Sequence, residues 1–219
     1  MWQRFRENIC AQKIPVGNYG IIILAIVCFA IQMYCDPKQQ HLNGLILKRL
    51  SFWAVLGYMW LHMSGLHFVG NLITLWIFGR YVSLKIGGAK YFLSYVFLGY
   101  VAAVFHIIYD GRPTIGASGA IMGVLGMHMV LCFRHFGIFG PWLILVWFVL
   151  NLTAGVIGGL PITYMAHFGG FLAGIILANI FILFDIVKSE DMDQALVRIL
   201  RPDLLKTGMS NSSYYYKIS

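Results

Sequence analysis

The sequence contains few charged residues and many hydrophobic ones. Only 11% of its 219 residues are charged, whereas 59% are hydrophobic and the mean hydropathy is +0.76. Soluble domains carry about a quarter charged residues, so a soluble globular fold is excluded. The composition instead predicts a membrane protein built as one compact all-α bundle.

Acids are the scarcest charged residues, and none of the eight lies well inside an apolar run. This excludes a pair of aspartates within the membrane, and it leaves no buried carboxylate to complete a Ser-His-Asp triad. His62 and His67 are five residues apart, which does not place both on one helix face, so an HExxH zinc site is excluded. The four cysteines have no spacing typical of a zinc site or a disulfide framework. No metal or other cofactor is predicted.

The basic residues lie between the apolar runs. The net charge is +8, but no basic patch is interleaved with aromatic residues, so nucleic-acid binding is not predicted. With the N-terminus inside, twelve of the sixteen Lys and Arg residues fall on the inner side and four on the outer side. The positive-inside rule then predicts that both termini face the cytoplasm.

Apolar runs of about 20 residues span a bilayer as helices. Six segments come near this length and predict a polytopic protein with six transmembrane helices. They are Tyr19–Tyr34, Leu66–Leu84, Ala89–Tyr109, Ile115–Phe133, Phe136–Leu152 and Ile162–Val187.

The long connection between the first two segments, Cys35–Gly65, is rich in Leu, Phe, Trp and Tyr. Lipid cannot satisfy the backbone of a loop, so this connection is expected to be partly embedded and to include a short interfacial helix around Leu47–Trp60. The expected organisation is a cytoplasmic segment 1–18, a membrane domain 19–187 and a cytoplasmic tail 188–219. The tail is predicted to begin with an amphipathic helix and to end flexibly.

Four polar residues fall at one depth under this topology. The second, fourth and sixth segments all run from outside to inside, and polar residues in membrane helices are candidates for function. His67 and Asn71 lie one turn apart near the start of the second segment, Ser118 opens the fourth, and His167 lies near the start of the sixth. The residues therefore meet in the outer half of the membrane.

These residue types support acyl transfer. A serine hydroxyl is a poor nucleophile until an adjacent base removes its proton, and His167 is the better candidate for that base. Ser118 lies at a helix start, where unpaired backbone N–H groups and the helix dipole favour an oxyanion. Asn71 and His67 can add side-chain donors.

Small residues recur on the fourth and sixth segments at the spacing that lets membrane helices approach closely. Taken alone, Ile115–Gly123 would be interpreted as a packing face. The small residues concerned are Gly116, Gly119, Ala120 and Gly123 on the fourth segment, and Ala166, Gly170 and Gly174 on the sixth.

Other polar residues are assigned structural roles. His106 and His128 are predicted to be satisfied histidines of the core or of a helix interface. Asn151 is predicted to bond a neighbouring helix, although lining the site is the alternative.

With these motifs the chain resembles the rhomboid family of intramembrane serine proteases. Gly116-Ala117-Ser118-Gly119 matches the nucleophile motif, and the residues from His62 through His67 to Asn71 match the HxxxxHxxxN signature. Ala166-His167-Phe168-Gly169-Gly170, with Gly174 beyond it, matches the final helix of the family. The match covers roughly Trp53–Gly174.

The resemblance implies a role for each motif residue. It implies that Ser118 is the nucleophile, that His167 is the base, and that His67 and Asn71 stabilise the oxyanion. It implies a structural role for His62, which would hold the first loop.

The sequence departs from the family at two positions. The family often has Trp-Arg in the first loop, whereas Trp53 is followed here by Ala54. The position four residues after the nucleophile is often Tyr, on which the base stacks, and here it is Met122.

The resemblance implies hydrolysis of a peptide bond in or near a transmembrane segment of another membrane protein, with small residues before the cut. The site is expected to face outward, in a prokaryotic cell membrane, with Ala154–Thr163 as a mobile gate. One alternative is a non-catalytic scaffold that binds transmembrane clients. Another is a small transporter with a relay through His67, His106 and His167. The sequence does not indicate an oligomeric state.

Overall fold

The structure is a computed structural model that describes residues 14–36, 42–132, 142, 144–147, 149 and 164–187. Helices dominate these residues. Within the described part of the chain the only strand-like pairing is an isolated antiparallel bridge between Leu47 and Thr114. The predicted all-α class is therefore confirmed.

Seven α-helices have defined bounds, and three short turns of other helical types connect some of them. The turns are a 3-10 turn at Leu42–Leu45, another at Tyr58–Trp60 and a π-helical turn at Leu75–Gly79. The α-helices are α1 Val16–Cys35, α2 Phe52–Gly57, α3 Gly65–Thr74, α4 Arg80–Ile86, α5 Gly88–Tyr109, α6 Ser118–Leu131 and α7 Tyr164–Leu183.

Three helices, α1, α5 and α7, are long and apolar enough to cross a membrane. A fourth span is possible by the same measures if the helical stretches Phe52–Trp60 and Gly65–Ile86, which meet at an 88° bend, are taken as one. These helices identify an integral membrane protein. The predicted fifth segment, Phe136–Leu152, falls mostly outside the described residues, although 144–147 are helical.

The other segment predictions agree with the helices, although several boundaries are wrong. Helices α1 and α5 cover the predicted first and third segments. Helix α7 ends at Leu183, short of the predicted Val187, because residues 184–187 form a turn and a bend. The interfacial helix predicted around Leu47–Trp60 is present over the shorter stretch Phe52–Trp60. The fourth segment starts at Ser118 and not at Ile115. Its first residues form a connection, because Thr114 pairs with Leu47 and the backbone at Gly116 has φ +138°, outside the helical region.

Two predicted terminal segments lie wholly or largely outside the described residues. The tail 188–219 is not described, and of the segment 1–18 only 14–18 are. The division of the chain into an inner segment, a membrane domain and an inner tail stays a prediction.

The predicted second segment is helical throughout but changes register at the π turn. Asn18 of α1 donates from Nδ2 to the carbonyl of Leu75 at 3.0 Å, and Asn18 Oδ1 accepts from the Tyr91 hydroxyl at 2.7 Å. A Cβ atom on Gly79 would overlap both Asn18 and Tyr91. A buried amide thus connects α1, the π turn and α5, where lipid offers no hydrogen bonds to replace it.

Helices α6 and α7 are in backbone contact. A Cβ atom on Gly170 would overlap the carbonyl oxygen of Gly119, and one on Gly174 would overlap that of Gly123. Hydrophobic driving force between helices is weak in lipid, so such close van der Waals packing carries much of the association. The predicted approach of the two small-residue stripes is present.

Replacement of Gly174 by alanine tests this contact. The added methyl would meet backbone atoms of Gly123, which cannot rotate away, so the helices must separate. We expect Gly174→Ala to destabilise the protein by about 1–3 kcal/mol, measured as a lower midpoint of thermal denaturation in detergent micelles. Gly20→Ala is the matched control, because a Cβ atom on Gly20 of α1 has nothing within 4 Å. An unchanged midpoint for Gly174→Ala would contradict the backbone contact.

Candidate active site

Ser118 and His167 meet across the α6–α7 contact, although they are 49 residues apart. Nε2 of His167 lies 2.7 Å from Oγ of Ser118, which is hydrogen-bonding distance. The imidazole is buried, with 8% of the residue exposed, and Ser118 is half-buried. The arrangement lets the serine hydroxyl donate its proton to a neutral imidazole.

Ser118 is the first residue of α6, and no side chain caps this helix start. The first N–H groups of a helix have no partner within the helix, and the positive end of its dipole lies there. A negative charge that develops near Ser118 would therefore be stabilised by backbone groups. Ser118 lies at the start of the helix because the preceding residues, Thr114–Ala117, form a non-helical connection in which Gly116 has a positive φ angle.

The His67 ring lies against Gly116, two residues before the serine. A Cβ atom built on Gly116 would come within 2.7 Å of His67 Cε1 and 3.3 Å of its Nε2. The backbone N–H of Gly116 is held by the carbonyl of Tyr58 at 2.8 Å. Glycine is required here for two reasons, the positive φ angle and the space that the imidazole occupies.

Asn71 lies one turn after His67 on α3, which packs against α6. Its side chain is buried, yet its Nδ2 group has no hydrogen-bond partner among the described residues. A buried donor left unpaired costs about 1–3 kcal/mol. An amide donor without a partner beside α6 is expected if that donor forms its hydrogen bond with a bound ligand.

His62 is held by Gln32, a residue to which the sequence alone assigns no role. Gln32 of α1 donates from Nε2 to the His62 carbonyl at 2.7 Å, and its Oε1 accepts from the His62 N–H at 3.0 Å. The His62 ring stands edge-on to the His67 ring, with centroids 5.4 Å apart. An amide inside the first apolar run was the available signal, since polar groups in membrane helices need partners.

The site contains no acid in the described part of the chain. Nδ1 of His167 has no hydrogen-bond partner there, and no group of three or more potential metal ligands occurs among the same residues. Among the described residues, Ser118 and His167 therefore form a pair without a carboxylate partner.

The two departures from the family pattern are both buried. Met122 is 2% exposed and belongs to an apolar cluster with Phe78 and Phe171. No aromatic ring stacks on His167 among the described residues, so its environment differs from that given by a tyrosine. Ala54 is buried in α2, whose first turn is capped by the Ser51 hydroxyl at 3.3 Å from the Ala54 nitrogen.

Two other histidines lie in the core as predicted, and each has one ring nitrogen bonded to a backbone carbonyl. His106 Nε2 donates to the carbonyl of Arg112 at 2.6 Å, and His128 Nδ1 donates to the carbonyl of Phe78 at 2.9 Å. Both imidazoles are fully buried. Asn151 and the predicted gate Ala154–Thr163 lie outside the described residues.

Comparison with known proteins identifies one family. The family model described as "Rhomboid domain" matches residues 49–184. RHOMBOID-like protein 5 of Arabidopsis thaliana is 31% identical over 160 residues, which is 67% of this chain and 50% of the relative. Rhomboid protease GluP of Bacillus subtilis is 28% identical over 139 residues, 62% of this chain and 27% of the relative.

A second bacterial relative, rhomboid protease GlpG of Serratia proteamaculans, is 28% identical over 133 residues, which is 59% of this chain and 48% of the relative. The chain spans half or less of the length of these curated relatives. Two of the three are named as proteases, and the plant protein is named only as rhomboid-like.

Replacement of Gly116 by alanine tests the geometry around His67. The methyl group would displace the imidazole and would force a non-glycine residue to φ +138°. We expect a loss of about 1–3 kcal/mol in stability, measured by thermal denaturation in detergent. Gly44→Ala is the control, since a Cβ atom on Gly44 meets nothing within 4 Å. Equal midpoints for the two variants would show that the ring does not occupy this space.

Proposed function

The chain belongs to the rhomboid family, and we propose that it is an intramembrane serine endopeptidase that cleaves transmembrane segments of other membrane proteins. The observation that carries this proposal is the 2.7 Å hydrogen bond between Ser118 and His167. The substrates proposed are single-pass or polytopic membrane proteins, presented from the lipid bilayer. Names of the bacterial relatives support protease activity at the level of the family.

In the proposed mechanism His167 takes the hydroxyl proton as Ser118 attacks the carbonyl carbon of the scissile peptide bond. The resulting tetrahedral intermediate collapses when His167 gives that proton to the leaving amine, and an ester between Ser118 and the substrate remains. Water then attacks the ester with His167 again as base, and Ser118 is released. A dyad suffices because every proton passes through Nε2 of His167. It moves from Ser118 to the leaving amine when the ester forms, and from water to Ser118 when the ester is hydrolysed.

The negative oxygen of the intermediate is the charge that the site must stabilise. The donors proposed for it are the Ser118 N–H at the uncapped start of α6, the unpaired Asn71 amide and the His67 ring. Removal of one such donor typically lowers the rate by about 10²–10³. Burial strengthens these interactions, because protein donors replace bulk water at low dielectric.

The proposed arrangement in the membrane has six transmembrane helices within 19–187, with both termini inside and the site facing outward. The distribution of Lys and Arg supports this orientation, and the lengths of α1, α5 and α7 support three of the spans. Residues 188–219 would form the inner tail. A prokaryotic cell membrane is proposed as the location, and Ala154–Thr163 as the gate for lateral entry of substrate.

Cleavage of a transmembrane reporter in proteoliposomes tests the proposal. Wild-type protein should cut the reporter, whereas Ser118→Ala and His167→Ala should each lower the rate by about 10⁴-fold or more, because the nucleophile and its base act as a unit. Ser94→Ala, which removes a buried hydroxyl from α5, is the control and should cut like the wild type.

The opposite result would favour a non-catalytic scaffold. If wild-type protein never cuts, and a fluorophosphonate probe does not label Ser118, the protease proposal fails. Pull-down of transmembrane clients by the wild type and by Ser118→Ala alike would then be the expected behaviour.

Replacement of Asn71 by alanine separates catalysis from stability. The amide nitrogen has no hydrogen bond to lose among the described residues, so thermal denaturation should change little. The kcat for reporter cleavage should nevertheless fall by about 10²–10³, because the amide acts on the transition state. Asn179→Ala is the control, since among the described residues its amide bonds the Ile175 carbonyl of its own helix. A kcat within threefold of wild type would remove Asn71 from the oxyanion site.

A further inference from the structure

A groove lies between α2 and α5, and neither Ser118 nor His167 is among its lining residues. It encloses about 440 Å³ and its lining is almost wholly apolar. Phe52, Val55 and Leu56 contribute one wall at helical spacing, and Val96, Phe97 and Tyr100 contribute the other. Leu50 and Ser51 lie at the end where α2 begins. These residues define the α2/α5 groove.

Two basic residues precede the Leu50 end of this groove in the chain, and a third lies on the segment that pairs with theirs. Lys48 and Arg49 directly precede the lining residues Leu50 and Ser51, and both are exposed. The antiparallel bridge between Leu47 and Thr114 brings Arg112 alongside them, because its two backbone hydrogen bonds of 3.0 Å pair the segments that carry these side chains. Lys48, Arg49 and Arg112 form the basic cluster.

The basic cluster is unusual for its side of the membrane. Under the proposed orientation the outer side holds four of the sixteen Lys and Arg residues, and three of those four are these residues. Arg112 is 76% exposed at its side chain and pairs with Asp110 at 3.1 Å. In the described part of the chain, Lys48 and Arg49 form no ion pair. The Leu50 end of the apolar groove therefore carries a net positive charge.

We propose that the α2/α5 groove and the basic cluster form one binding site for an anionic phospholipid. An acyl chain occupies the groove, and the phosphate group is held by Lys48 and Arg49 with Arg112 beside them. Lys and Arg bind phosphate through charge-assisted hydrogen bonds. The apolar walls of the groove match an acyl chain, and the basic residues at one end match the phosphate group of the same lipid.

This occupant fits better than a second copy of the chain. A copy would bring a second basic cluster to the same contact, and like charges across an interface cost free energy. The bound lipid would brace α2 against α5 and thereby support Tyr58, which follows α2. The Tyr58 hydroxyl donates to the Gly99 carbonyl at 2.7 Å, and its own carbonyl holds Gly116 beside the serine.

Lipid titration tests the site on the full chain. Delipidated protein in detergent micelles would receive dioleoylphosphatidylglycerol or dioleoylphosphatidylcholine, and native mass spectrometry would count the bound molecules. We expect tighter binding of phosphatidylglycerol by the wild type. Lys48→Gln/Arg49→Gln should weaken that binding by about fivefold for each charge removed. Lys85→Gln/Lys90→Gln, which removes the same charge near the opposite end of α5, should bind like the wild type.

Val96→Trp fills the groove and leaves the basic cluster intact. It should weaken binding of both lipids, because the acyl chain loses its place. Equal affinity of the wild type for the two lipids would overturn the proposal, as would unchanged binding by Lys48→Gln/Arg49→Gln. Conversion of a dimer to a monomer by Val96→Trp, with lipid binding unaltered, would also overturn it and assign the groove to a second copy.

Discussion

The contact between the backbones of α6 and α7 is the constraint on which the site depends. Gly170 lies on the carbonyl of Gly119 and Gly174 on that of Gly123, so no side chain separates the helices there. This proximity is what lets a short serine side chain reach a histidine of another helix at 2.7 Å. In lipid, apolar surface gains little from burial against another helix, so this close van der Waals packing carries much of the association between the two helices.

A second set of contacts fixes the oxyanion side relative to the serine. The Tyr58 carbonyl holds Gly116, and Gly116 in turn leaves room for the His67 ring. The side chain of Gln32 in α1 forms hydrogen bonds with both the carbonyl and the N–H of His62. The chain between α1 and α3 is therefore anchored by hydrogen bonds of its backbone, at His62 with the Gln32 side chain and at Tyr58 with the Gly116 N–H.

The sequence predicts the helices and the meeting of Ser118 with His167 better than it predicts the connections. Long apolar runs define α1, α5 and α7 because bilayer thickness sets their length. The depth of the polar residues follows from the same runs. The apolar pattern places the start of α6 three residues too early, at Ile115. The true start depends on the bridge between Leu47 and Thr114, which no local pattern reveals. Gln32 and Asn18 were missed for a related reason, because a single amide in an apolar run does not show which backbone group it will bond.

The π turn at Leu75–Gly79 has a consequence for how the second segment can vary. In an α-helix each residue advances the side-chain direction by about 100°, so one extra residue in a turn rotates everything before it relative to everything after it. The π turn thereby sets the direction in which His67 and Asn71 face relative to α4. Asn18 holds the Leu75 carbonyl and fixes that rotational phase. Loss of a single residue from the turn would leave both halves helical. It would nevertheless turn the side chains of His67 and Asn71 away from Ser118.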